Sequence, residues 1–123
     1  MDVIYAYTRA QAIDDGVLID VSPMAREAGI SYPTALTSAV WERYVRVPDG
    51  VSGQDENGRL WDVLWMFRVE LLRSPKNRDS SQIFFELVVR NDECVSQVVT
   101  LKAMCGPGDS MEPVITMMLP EED

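Results

Sequence analysis

The chain has 123 residues, 46% of them apolar and 25% charged, a composition that suits one folded domain and argues against intrinsic disorder. Its 20 acidic residues outnumber 11 basic ones, and a net charge of −9 repels nucleic acid and acidic membranes while it attracts basic partners. There is no histidine, so the commonest general base and the commonest metal ligand are both missing. No run of about 18 apolar residues marks a membrane span, and the opening Met1-Asp2-Val3-Ile4-Tyr5 lacks the basic and apolar regions of a signal peptide. A cytoplasmic protein is expected.

In chain order, Thr8 caps a short helix to Asp15 that Gly16 stops. Val17-Leu18-Ile19 reads as a brief strand or buried extended segment. Ser22-Pro23 starts a second short helix, which ends at Gly29. Ser31-Tyr32-Pro33 starts the longest predicted helix, about 33–46, with Leu36, Ala39, Val40, Tyr44 and Val47 on one face. Pro48-Asp49-Gly50 ends it, and Val51 to Gly58 is polar and rich in turn formers, hence a loop.

Leu60 to Arg73 supports two readings. Leu60, Val63, Leu64 and Phe67 have helical spacing, whereas Phe67, Val69 and Leu71 alternate with Arg68, Glu70 and Leu72. We predict a helix to about Met66 and then a strand; a single helix through Arg73 is the alternative. Ser74 to Asp79 is a turn, and Gln82 to Arg90 is a strand with Ile83, Phe85, Leu87 and Val89 on one face and Glu86 and Arg90 on the other. Val95 to Cys105 and Val114 to Leu119 are further strands, joined through Gly106-Pro107-Gly108-Asp109. Short connections between sequential strands imply an antiparallel meander. The expected fold is a single α+β domain over 1–123. Helices of a mainly helical 1–66 pack on one face of a three- to four-stranded antiparallel β-meander at 67–119, and 120–123 form an acidic tail.

Sites for chemistry are scarce. Cys94 and Cys105, if on one strand, lie roughly 33 Å apart and stay reduced. Two cysteines without histidine do not close a zinc site, and no phosphate-binding glycine motif is present. Asp14 and Asp15 point about 100° apart on a helix and read as a polar helix end. Asp55-Glu56-Asn57 lacks the spacing of a calcium loop. Cys105 has no adjacent cation to activate it. No catalytic residue, metal ligand or cofactor is assigned, and a non-enzymatic role is expected.

Binding candidates remain. Trp61 and Trp65 are four apart and share a helix face, as core residues or as an aromatic anchor for a partner. Arg9, near Tyr5 and Tyr7, reads as part of a cation–aromatic cluster or as an exposed anchor. After Lys102 every charge is acidic: Asp109 at a turn tip, Glu112, Glu121, Glu122 and Asp123 read as a solvated end or an anionic patch for a basic groove. Around Arg68, Arg73, Lys76 and Arg78 the local charge is basic.

Three segments carry a resemblance: Tyr5 to Gly16, Leu60 to Met66 and Leu101 to Asp109. Together they resemble a family of small uncharacterised bacterial proteins often carried on plasmids, prophages and integrative elements. The likeness spans nearly the whole chain and implies no activity. It implies a mobile-element setting, in which small acidic proteins inhibit host defence or mimic DNA. The leading expectation is an acidic modulator of a basic, nucleic-acid-handling protein, with no direct nucleic-acid or membrane contact. Its rivals are a small carboxylate- or metal-dependent enzyme and a homodimer joined through a sheet edge or the Trp61–Trp65 face.

Overall fold

Local signals at the N-terminus work as a sequence reading expects. A computed structural model describes residues 7–123, the Arg78 side chain apart. Helix α1 (Arg9–Asp14) opens on a reciprocal cap, in which Thr8 accepts from the Gln11 amide and the Gln11 side chain accepts from the Thr8 amide. Strand β1 (Leu18–Asp20) follows, then α2 (Ser22–Glu27) with proline in its first turn. Ser22 is not its cap but its first residue, and its hydroxyl donates to Asp20 and accepts from the Thr34 amide.

The predicted helix over 33–46 is only half helical. Thr34–Thr37 forms β2, and its Thr37 hydroxyl caps α3 (Ser38–Val40), which runs on as a π turn over Trp41–Val45. Ala35 and Leu36 are fully buried because β2 is an interior strand, flanked by β1 and by β5 (Pro113–Met118). A short interior strand is apolar on both faces and shows no alternation, which leaves nothing in its sequence to oppose a helical reading.

From Glu56 to Arg73 the chain is one helix, α4, capped by the Asp55 carboxylate on the Gly58 amide at 2.6 Å. The strand predicted from Phe67 is therefore corrected in favour of the continuous helix. Val63, Leu64 and Phe67 are fully buried on its inner face, and Phe67 meets Phe85 edge-on at 5.6 Å between ring centroids. The helix needs Phe67 for its own core stripe, which removes it from any strand. Ser74 and a 3-10 turn over Pro75–Asp79 follow.

Strands β3 (Gln82–Val89) and β4 (Gln97–Pro107) pair antiparallel from Gln82↔Met104 to Val89↔Gln97, and β4 pairs antiparallel with β5. The C-terminal meander is therefore present, but it is three strands of a five-stranded sheet in the order β1-β2-β5-β4-β3. The N-terminal half supplies β1 and β2, and β2 joins β5 in parallel, so the sheet is mixed rather than wholly antiparallel. On the inner face α2, α3 and α4 cover Phe85, Leu87, Leu101, Ala103 and Met117. On the other face α1 and the C-terminal turn lie over β4 and β5: Arg9 donates to the Thr116 hydroxyl, and Lys102 donates to the Pro120 carbonyl. The domain is thus α+β with helices on both faces of the sheet, not on one. Among the described residues no helix is long and apolar enough to cross a membrane.

Candidate interaction surface

The longest helix leaves a stripe of large apolar side chains on its outer side. Trp61, Trp65, Val69 and Leu72 recur at helical spacing on α4, turned away from Val63, Leu64 and Phe67. Trp61 is 36% and Trp65 44% exposed, and their rings stack at 5.7 Å with 12° between planes. The stack is two large, preorganised apolar surfaces facing water.

Next to this stripe runs β3, the last strand of the sheet. Its inward residues are buried, while Phe84 is 48% and Val88 60% exposed on the other face, with Val98 of β4 exposed opposite Val88. A groove of about 410 Å³ lies between Met66, Val69 and Arg73 of α4 and Phe84 and Glu86 of β3. A second cleft of about 390 Å³ lies where Trp61 and Asp62 approach Val88 and Arg90. Trp61 thus stands by Val88, and Val69 stands by Phe84, so α4 runs antiparallel to β3 and apolar groups line both sides of the strand edge.

Arg59 anchors one end of this surface. Its guanidinium donates to the Val45 carbonyl (3.2 Å), the Gln54 side chain (2.7 Å), the Arg90 carbonyl (2.9 Å) and the Asn91 side chain (2.5 Å). All four acceptors are neutral. Burial lowers the Arg59 pKa, Arg46 adds to the effect, and Asp62 opposes it. Burial in turn raises the Asp62 carboxyl pKa, with Arg59 opposing. Arg90 reaches back to the Ser52 carbonyl and pairs with Glu93 at 3.4 Å, which closes the same end.

The sequence candidates fall into two groups on different faces. Trp61 and Trp65 are on the α4 surface just described. Tyr7, Arg9, Asp109, Glu122 and Asp123 line a shallow depression of about 610 Å³ on the α1 side. Most of these groups hold the fold together. The Asp109 carboxylate accepts from the Arg9 and Ala10 amides at 2.9 and 3.0 Å, which caps α1 a second time and holds its pKa below the ordinary aspartate value. The Arg9 guanidinium goes to Thr116 and the Ile115 carbonyl, and the Tyr7 hydroxyl donates to Asp15, which raises the tyrosine pKa. Tyr5 lies outside the described residues. Glu112 accepts from the Ser110 amide within the β4–β5 turn. Glu122 accepts from the Thr37 hydroxyl and the Leu119 amide, and Glu121 lies 3.8 Å from Arg43. Glu121 and Glu122 are thus folded back onto the π turn and β2 rather than trailing free.

Cys94 and Cys105 are both free thiols, and half-burial raises the Cys105 pKa. Among the described residues no group of three cysteines or carboxylates is placed to hold a metal ion. Sequence reasoning missed Arg59, Phe84 and Val88. For the last two the signal was available: Gln82–Val89 is apolar at outward as well as inward positions, so its alternation of burial is not an alternation of polarity.

Over residues 1–123 the chain matches the model of a family of unknown function, DUF6573, and it belongs to that family. Neither a curated protein nor a solved structure matches it.

Proposed function

We propose that this member of the DUF6573 family is a non-catalytic protein-interaction domain whose acidic charge selects a basic partner, such as a nucleic-acid-handling protein, and modulates it. The observation that carries this reading is the exposed Trp61–Trp65 stack on the outer side of α4, with exposed Phe84 and Val88 on the opposite face of the sheet across the β3 edge. Clustered large apolar groups on a water-facing surface are costly to leave uncovered, and buried aromatics are the usual anchors of protein interfaces. The net charge of −9 supports the basic character of the partner, because it speeds encounter with cations and repels acidic competitors. A mobile-element modulator of host defence is the version that the sequence resemblance adds.

The test is a photo-crosslinking residue at Leu72, at the end of the stripe, used in host lysate at low and high salt. A discrete basic crosslinked protein that weakens with salt and disappears on Trp61→Ala/Trp65→Ala is the expected result. A crosslinking pattern unchanged by the tryptophan substitutions refutes the reading, and one unchanged by salt refutes its electrostatic half.

A further inference from the structure

We infer that the free edge of β3 is a docking site that takes an extended, basic segment of the partner protein as a sixth strand of the five-stranded sheet. The inference rests on the interaction reading above and specifies how the contact is made.

The backbone decides which groups are available. The Cys105 amide donates to the Ser81 carbonyl at 2.8 Å, and Ser81 stands two residues before Ile83 in an unbroken antiparallel register. Hydrogen-bonded pairs alternate along such a ladder, so Ile83, Phe85 and Leu87 spend their N–H and C=O groups on β4. Those of Phe84, Glu86 and Val88 point out of the sheet, where no strand pairs among the described residues. β3 is eight residues long and carries no proline, lysine or register break. Of the usual devices that blunt an edge strand β3 carries one, the Glu86 charge, and an edge with so little protection accepts a chain whose own charge answers it.

Charge selects the occupant. Glu86 is the one charged side chain on β3. Arg73 and Arg90, at the two ends of the edge, already face Glu70 at 3.6 Å and Glu93 at 3.4 Å. Glu86 and Asp62 have no ion pair among the described residues. Arg59 at the same end has none either, but it is buried and held by four neutral acceptors, so the unanswered charge that the strand itself presents to solvent is that of Glu86. A second copy of β3 brings no basic side chain to meet Glu86 and adds another net charge of −9. A strand with lysine or arginine opposite Glu86, and β-branched or aromatic residues opposite Phe84 and Val88, satisfies both the backbone and the side chains.

The test pans a displayed library of random peptides on the full chain and compares it with Val88→Pro, which deletes an outward N–H but no bond to β4. Enriched peptides are expected to be extended and basic, to slow hydrogen exchange at the Phe84, Glu86 and Val88 amides, and to bind Val88→Pro about tenfold more weakly or worse. Glu86→Lys keeps the backbone intact and is expected to invert the preference toward acidic peptides, so it decides the matter if the proline variant fails to fold. Peptides that bind without protecting those amides, and that depend on Trp61 and Trp65 instead, overturn strand docking while leaving the interaction reading in place. A library that yields no binder, together with crosslinking unaffected by the tryptophan substitutions, overturns both.

Discussion

Replacing Arg59 by methionine tests how the end of the α4–β3 surface is held. Arg59 is 6% exposed, and its fork joins the end of the π turn, the loop before α4 and the turn after β3. Methionine retains much of the aliphatic stem but donates nothing. The Gln54 and Asn91 side chains sit near the surface and can turn to water, whereas the carbonyls of Val45 and Arg90 are held by the backbone. Each buried acceptor left unsatisfied costs about 1–3 kcal/mol, so the two carbonyls together cost about 2–6 kcal/mol. Against this, the variant no longer desolvates a cation that has no carboxylate within ion-pair distance among the described residues. The net loss expected is about 3 kcal/mol, which in urea moves the midpoint down by roughly 2 M at an m-value near 1.5 kcal/mol/M. Arg59→Lys, which keeps the charge but not the fork, should fall between. A loss below about 0.5 kcal/mol for the methionine variant would refute the account, because it would mean that the carbonyls find other donors at no cost.

Two further predictions concern the backbone and pH. Gly29 and Gly50 both have left-handed φ values, +89° and +83°, but a Cβ at Gly29 would lie 1.3 Å from the Arg68 guanidinium, while one at Gly50 meets nothing within 4 Å. Gly50→Ala should therefore cost only the backbone strain of about 1–2 kcal/mol. Gly29→Ala should cost more and release Arg68 from the Ala28 carbonyl it now holds at 3.0 Å; equal losses in thermal melts would contradict this. The Asp109 carboxyl titrates lower in the folded chain than in the unfolded one, because it caps α1. Its contribution is complete above the unfolded value near pH 4 and is lost as pH falls through the folded value. The stability difference between the wild type and Asp109→Asn should accordingly shrink below about pH 4, with the Arg9 and Ala10 amides losing exchange protection over the same range. A difference independent of pH in that window would show that the cap does not depend on charge.

Elements whose reason lies within a few residues were legible in the sequence. Thr8 starts α1, Pro23 stands in the first turn of α2, and the spacing of Ile83, Phe85, Leu87 and Val89 marks the inward face of β3. These depend on caps, fixed proline torsions and side-chain period, all of which are local. What the chain does over 34–37 and from Phe67 onward was settled by neighbours distant in sequence. Thr34–Thr37 is a strand because β1 and β5 leave an interior slot for it, and its pairing with β5 joins residues about eighty positions apart. Phe67 stays helical because Phe85 waits beneath it. The same division runs through the candidate surface. The Trp61–Trp65 pair could be named from spacing alone, but core and surface are equally compatible with spacing. The acidic residues could be counted, yet only the folded chain turns Asp109 into a helix cap and Glu122 into a clasp on Thr37. The open edge of β3 could be decided only by the order of strands, because a strand's sequence does not say whether it has one neighbour or two.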